Sequence, residues 1–138
     1  MFARPLIRQG GFTREARVGD ALAANSSIAA FAAETDATLT LSQLSGGHIF
    51  QGVTLTSDVV YTLPTAAAIV ASPAFSDMDI GDAYSFIVTN SQVGAFDVVI
   101  AVGTGITKVG TNNTLSTPPQ SSRIYTLVKT AAATFNLY

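Results

Sequence analysis

The sequence predicts an all-β fold: an antiparallel β-sandwich or small jelly roll with one short helical segment, preceded by an extended N-terminal arm. From about residue 37, apolar and polar residues alternate with period 2 in several short segments. Turn-forming residues separate nearly all of these segments, at the spacing of two-sheet β proteins. Before residue 35, Pro5, several glycines and four arginines interrupt any such pattern. We therefore divide the chain into an arm, residues 1–34, and a body, residues 35–138.

The alternating segments also predict which side chains face the core. In ATLTLSQL, Leu39 and Leu41 lie on one face of a predicted strand and the threonines on the other. The remaining predicted strands are AYSFIVTN with Tyr84, Phe86 and Val88 on one face, AFDVVIAVG with Phe96, Val98, Ile100 and Val102, SRIYTLVKT, TFNLY with Phe135 and Leu137, and the shorter HIFQGV, VVYTL and GITKVG.

One segment between the strands has the pattern of a short helix. In PTAAAIVAS, three alanines favour helix, Pro64 suits a first helical turn and Pro73 ends it. The glycines of VGTGITKVG have neither the order nor the following helix of a phosphate-binding loop. They predict a hairpin turn at residues 103–105 instead.

The composition limits the chemistry that the chain can perform. Its 138 residues suit one domain, and the absence of Cys excludes disulfides, thiolate metal sites and thiol catalysis. Charged residues make up 12% of the chain, about half of the usual share of a soluble domain. Identical copies or a partner would cover part of such a surface; the alternative is a hydrated Thr/Ser-rich surface.

The charges are divided between the two parts of the chain. Up to residue 17, four arginines stand against Glu15, a local charge of 4 − 1 = +3. From residue 18 onward, three basic residues stand against eight acidic ones, 3 − 8 = −5, and the two sum to the net charge of −2. A basic arm is therefore joined to an acidic body.

The arm carries the side chains of a docking peptide. Arginine forks pair with carboxylates and apolar side chains fill pockets, so we predict that the arm binds another protein. A disordered tail is one alternative. Nucleic-acid binding is the other, but an acidic body repels nucleic acid and the arm has few aromatic rings for base stacking. The predicted partner-binding residues are Phe2, Arg4, Leu6, Ile7, Arg8, Phe12, Arg14 and Arg17.

Two further features of the body have a chemical and a structural interpretation. The single histidine, His48, would need an orienting carboxylate and a nucleophile to act as a base, and further ligands to bind a metal. Asp77, Asp79 and Asp82 alternate before a turn as calcium ligands do, but too few ligands are present and the closing Glu is missing. A turn in which aspartates bond the local backbone explains the same residues.

No enzyme, cofactor or membrane function follows from these patterns. Paired carboxylates for glycan hydrolysis would have to come from Asp58, Asp97 or the 77–82 cluster, and nothing in the spacing supports such a pair. We predict no catalytic residue, no metal and no cofactor. No apolar stretch approaches the length of a membrane span, and the first residues lack a secretory signal, so no membrane partner is expected.

The body resembles small β modules in structural proteins of tailed bacteriophages and other large DNA viruses. The shared pattern is VVYTLPTAAAIVAS, then GDAYSFIVTN, then FDVVIAVGTGITKVG, and SRIYTLVKT before a final TFNLY. It covers residues 37–138, about three quarters of the chain, and includes no diagnostic signature. The arm lies outside the resemblance.

The resemblance implies a function as well as a fold. Such modules are typically sandwiches, often trimeric, that serve as capsid cement or decoration proteins or as pieces of tail fibres. It therefore implies a homotrimer on the outer capsid surface of a virion, bound to the major capsid protein. The alternative is a tail-fibre or receptor-binding component that joins a tail protein. A free-standing lectin-like binding module is a further hypothesis, separate from the resemblance.

Overall fold

In a computed structural model of the chain, residues 27–110 and 115–138 are described. They form ten strands and two short helices, so the fold is largely β. The elements are β1 (Ser27–Phe31), β2 (Ala37–Thr38), α1 (Leu41–Gly46), β3 (Gly47–Gln51), β4 (Val59–Thr62), α2 (Ala66–Ala71), β5 (Ala83–Asn90), β6 (Val98–Ala101), β7 (Ile106–Lys108), β8 (Ser116–Thr117), β9 (Ser121–Ala131) and β10 (Thr134–Leu137).

The strands form two mixed sheets, which corrects the prediction of an antiparallel fold. The larger sheet has the order β1-β3-β5-β9-β10-β7 and the smaller one the order β2-β4-β6-β8. Five of the eight described strand pairings are parallel and three are antiparallel. Period-2 alternation identifies a strand and its buried face but does not determine which strand lies beside it.

The parallel pairings arise because the chain changes sheet after almost every strand. From β1 to β9 each successive strand lies in the other sheet, and only β9 and β10 follow one another within a sheet. Strands two apart in the chain therefore become parallel neighbours: β1, β3 and β5 in the larger sheet, β2, β4 and β6 in the smaller one. The first six strands thus wind around a shared core in three successive coils, and each coil consists of one strand of the larger sheet followed by one strand of the smaller sheet.

Both sheets contribute to that core, and the predicted inward faces are confirmed. Phe86 and Val88 of β5 and Leu127 of β9 are buried from the larger sheet, and Val98 and Ile100 of β6 from the smaller one. The predicted strands HIFQGV, VVYTL, GITKVG and TFNLY correspond to β3, β4, β7 and β10. Alternation was a reliable guide here because one face of each strand meets the core and the other does not.

Helix α1 replaces most of a strand that the alternation in ATLTLSQL predicted. Only Ala37 and Thr38 of this segment form a strand, and Thr40 caps the helix. The Thr40 hydroxyl accepts from the Gln43 N–H at 3.1 Å, and the Gln43 side chain accepts from the Thr40 N–H at 2.8 Å. This reciprocal capping box is encoded by the order Thr-x-x-Gln, which outweighs a short leucine alternation.

The predicted helix in PTAAAIVAS is confirmed as α2. Thr65 is its N-cap and accepts from the Ala68 N–H at 3.1 Å, so Pro64 lies just before the helix and Pro73 just after its C-cap. The predicted turn after β6 is also present, with Gly105 at φ +85°. It joins β6 to β7 in the other sheet, so it is a turn between sheets and not a hairpin.

The last part of the predicted arm, residues 27–34, lies against the body. Strand β1 pairs with β3 from Ser27 opposite Gly47 to Phe31 opposite Gln51. The Glu34 carboxylate accepts hydrogen bonds from the Thr56 hydroxyl at 2.8 Å and from the Ser57 N–H at 2.7 Å. The Thr56 hydroxyl and backbone N–H lower the pKa of Glu34, so acid weakens this attachment as the carboxylate becomes protonated.

The buried tyrosines predict a loss of stability in alkali. Burial raises the pKa of Tyr61 and of Tyr84 to about 12, compared with about 10 in an unfolded chain. Above about pH 10 the unfolded chain therefore releases protons that the folded chain retains, and stability falls as the pH rises toward 12. We expect the urea midpoint to fall steadily over this range and phenolate absorbance to appear with unfolding. A constant midpoint would contradict this expectation.

Candidate protein interface

The arm residues predicted to bind a partner lie outside the described residues. This applies to all eight: Phe2, Arg4, Leu6, Ile7, Arg8, Phe12, Arg14 and Arg17. The other two features that the sequence analysis considered for chemistry, His48 and the aspartates 77–82, lie within the described residues. The structure adds a surface that the sequence analysis did not identify.

That surface is the side of the six-stranded sheet that points away from the core, which we call the open face. Burial alternates along its strands, so every second side chain belongs to it. Its members are Ile28 and Ala30 of β1, His48 and Phe50 of β3, Ala83, Ser85, Ile87 and Thr89 of β5, Ser122, Ile124, Thr126 and Val128 of β9, Asn136 and Tyr138 at β10, and Thr107 and Val109 at β7.

An apolar row crosses the open face at right angles to the strands. The register places Ile28 opposite His48, His48 opposite Ile87, and Ile87 opposite Ile124. Ile28 is 62% exposed and Ile124 is 68% exposed. Tyr138 and Val109 are also exposed at the far side of the same face. Several large apolar side chains therefore stand together on one side of the protein.

His48 lies in the middle of this row and is held by hydroxyl groups. Its Nε2 is 2.9 Å from the Thr89 hydroxyl, which in turn is 2.7 Å from the Ser122 hydroxyl. The His48 ring also meets Phe50 edge to face, with ring centroids 6.3 Å apart. No hydrogen bond joins the imidazole to a carboxylate among the described residues. The arrangement therefore fixes the ring as part of a surface.

The open face carries no charged side chain among the described residues. Lys108, Arg123 and Lys129 are the basic residues of the described part, and all three occupy the alternate positions of β7 and β9. The Lys129 ammonium donates to the Met78 carbonyl at 2.8 Å. A six-stranded surface of Ile, Thr, Ser, Ala and aromatic residues is thus left without charge.

Carboxylates gather instead at the start of the smaller sheet. Asp36, Asp58 and Asp97 are the residues immediately before β2, β4 and β6. The Asp36 carboxylate accepts from the Val60 N–H at 2.8 Å, and the Asp58 carboxylate accepts from the Asp97 N–H at 2.8 Å. Each bond satisfies a backbone donor of the next coil, so these acids stabilise the stacking of the coils.

The aspartates at 77–82 form a turn, as the backbone-bonding interpretation predicts. The Asp82 carboxylate accepts from the Asp79 N–H at 2.9 Å, and Gly81 has φ +99°. Lys129 fixes this turn to β9 through the Met78 carbonyl. Within residues 27–110 and 115–138 no group of three His, Cys, Asp or Glu side chains could hold a metal ion. No helix in these ranges is long and apolar enough to cross a membrane.

A shallow cleft of about 400 Å³ lies at the end of β5 and β9 and overlaps the open face at Thr89 and Ser122. Asn90 is fully buried there and donates to the carbonyls of Phe96 and Thr117, both at 3.0 Å. Its Oδ1 has no hydrogen-bond partner among the described residues. The cleft is lined by hydroxyl and amide residues: Thr89, Asn90, Ser91, Gln120, Ser121 and Ser122.

The sequence contained a signal for the open face that the analysis of inward faces passed over. In Phe86-Ile87-Val88, the alternation that buries the outer two residues leaves Ile87 on the outside. The same holds for Ile124 beside Tyr125. A large apolar residue on the outward face of a strand is the local sign of a covered surface. Comparisons of the chain with family models, with curated proteins and with solved structures found no match.

Proposed function

We propose that this chain is a non-enzymatic structural protein of a virus particle. In this proposal it is a capsid cement protein on the outer surface of the shell. Its arm binds the major capsid protein and its body associates as a homotrimer. The two-sheet body serves as the β-sandwich module that the sequence resemblance implies, with strand order 1-3-5-9-10-7 and 2-4-6-8 in place of an antiparallel arrangement.

The observation that carries the proposal is the uncharged open face on an otherwise acidic body. Residues 18–138 have a charge of −5, yet none of the outward-facing residues of the larger sheet is charged. Large exposed apolar side chains grouped on one uncharged face, such as Ile28, Ile87 and Ile124, mark protein contact surfaces. In a protein that functions as part of an assembly, contact with a partner would remove these apolar side chains from water.

The arm supports the same proposal through its charge and its point of attachment. Residue 27 begins β1, the edge strand of the larger sheet, so residues 1–26 connect to the body at that edge. A stretch of this length spans at most roughly 85 Å. Linking several arms through one oligomer raises the overall affinity for a shell without any new kind of contact. This is the mechanism by which a cement protein would tie neighbouring coat subunits together.

Neutralising the arm is expected to abolish binding to the shell. Replacing Arg4, Arg8, Arg14 and Arg17 by alanine removes four charge-assisted contacts, so we expect affinity for purified particles to fall by at least about 100-fold. Co-sedimentation of the full-length chain with particles measures this. The control is Arg123→Ala, which removes a basic residue of the body and should leave binding within about threefold. Undiminished binding by the four-fold variant would refute arm-mediated docking.

The abundance of the chain in purified particles separates the two virion roles. A copy number comparable to that of the major capsid protein supports the cement function. A small copy number favours the alternative, a tail-fibre or receptor-binding component. The cleft beside Asn90 is the observation that favours this alternative, because hydroxyl and amide groups bind polyhydroxylated ligands such as glycans. Absence of the chain from particles would contradict both.

A further inference from the structure

We propose that the open face packs against the open faces of further copies of this chain, with the row Ile28–His48–Ile87–Ile124 at the centre of the contact. This inference deepens the proposed function, since it names the surface that joins the copies of the oligomer.

The open face offers a contact area that extends across all six strands of the larger sheet. Six strands about 4.8 Å apart, each roughly five residues long at about 3.3 Å per residue, cover about 400 Å² in projection. Three such faces brought together remove about 1,200 Å² from water in all, shared among three contacts of about 400 Å² each, so the apolar row has to supply most of the binding free energy. Burying the exposed isoleucines and Tyr138 supplies the hydrophobic free energy.

The distribution of charge favours another copy of the same chain as the occupant. Two acidic bodies repel one another wherever their carboxylates approach, and Asp36, Asp58 and Asp97 lie at the smaller sheet. The open face is a surface on which two copies meet without bringing like charges together. Three of its polar residues also lose less on burial, because His48, Thr89 and Ser122 hydrogen-bond one another within one copy.

The same reasoning disfavours the chain's own N-terminal segment as the occupant. Residues 1–17 carry a charge of +3, and the open face offers no carboxylate with which an arginine could pair. Placing arginines on an uncharged face would remove them from water without compensation.

Copies related by rotation around one axis form a closed oligomer in which every open face is in contact with its equivalents. When the open faces surround a common axis, residues near the axis meet their own equivalents, and the exposed row is buried in every copy. A trimer leaves Asp36, Asp58 and Asp97, at the start of the smaller sheet of each copy, on the outside. It also places the three N-terminal segments at equivalent positions around the axis.

A single charge in the centre of the face tests the inference. We expect sedimentation of the full-length wild type between about 1 and 100 µM to show a trimer, and Ile124→Lys to sediment as a monomer at the same concentrations. The expected loss is at least about 100-fold in association, because burying three ammonium groups together is unfavourable. The matched control is Ile80→Lys, since Ile80 is also 68% exposed but lies on the 79–82 turn outside the open face. This control should remain a trimer.

Two additional measurements keep the test decisive. Circular dichroism and thermal melting establish that Ile124→Lys is folded, which its exposed position predicts. The chain has no native cysteine, so Thr126→Cys introduces a unique thiol on the open face. We expect maleimide to react with it slowly in the oligomer and rapidly in combination with Ile124→Lys.

The outcomes that overturn the inference are specific. A monomeric wild type with a reactive thiol would show that the face stays open in solution. A monomeric wild type with a protected thiol would show that the chain's own undescribed residues cover the face. A trimer unaffected by Ile124→Lys would place the contact elsewhere. None of these results depends on particle binding by the arm arginines, so the inference and the proposed function can fail separately.

Discussion

Replacing Phe86 by alanine is expected to destabilise the body by about 3–5 kcal/mol, since removing a buried ring leaves a cavity that the neighbours fill only in part. Phe86 is 1% exposed and lies in β5, between β3 and β9. Its ring stacks on Tyr125 with centroids 5.7 Å apart. Chemical denaturation of the full-length chain, followed by circular dichroism, measures the change in the free energy of unfolding.

Ile80→Ala is the control for this substitution. Ile80 is exposed on a turn and packs outside the core cluster, so its truncation is expected to change stability by no more than about 0.5 kcal/mol. If Phe86→Ala cost less than about 1 kcal/mol, the shared core of the two sheets would be incorrect. The comparison also matters for function, because an open face holds its shape only if the core behind it is rigid.

Replacing Gln51 by leucine is expected to destabilise the body by about 2–4 kcal/mol, because the buried Tyr61 hydroxyl and two partly buried backbone groups lose their hydrogen-bond partner. Gln51 is fully buried at the end of β3. Its Nε2 donates to the Tyr61 hydroxyl at 2.7 Å and to the Ala33 carbonyl at 3.2 Å. Its Oε1 accepts from the Val53 N–H at 2.9 Å. This one amide therefore connects both sheets and the segment that follows β1.

Tyr61→Phe separates the parts of this network. It removes one hydroxyl and keeps the ring, which stacks on Phe31 with centroids 4.2 Å apart. We expect a loss of about 1 kcal/mol, smaller than that of Gln51→Leu. The double variant should lose less than the sum of the two, because the residues share a hydrogen bond. Simple additivity would contradict the bond between Gln51 and Tyr61.

The sequence predicts the burial of Phe86 but not the burial of Gln51. Phe86 was assigned to the core from alternation alone, since its neighbours Tyr84 and Val88 follow the same period. Gln51 carried no such signal, because an isolated glutamine at the end of a strand is ordinarily exposed. Its burial depends on Tyr61 and Ala33, which reach it only after β1, β3 and β4 have assembled.

Of the two helices, one was predicted from the sequence and the other was not. Helix α2 followed from its alanines and flanking prolines, whereas α1 was assigned to a strand because Leu39 and Leu41 alternate. The capping box of Thr40 and Gln43 was present in the sequence and decided the local structure. Here the missing information was local, and a search for caps would have supplied it.

The sequence by itself determined most of the strands, their inward faces, the second helix and the division of charge between the arm and the body. Each depends on spacing within a few residues or on composition. The tertiary structure alone decided that the sheets are mixed, that β1 joins the larger sheet, and that Ile28, Ile87 and Ile124 form a row with His48. Side-chain alternation is a property of one strand, whereas register and neighbour order depend on contacts between residues tens of positions apart.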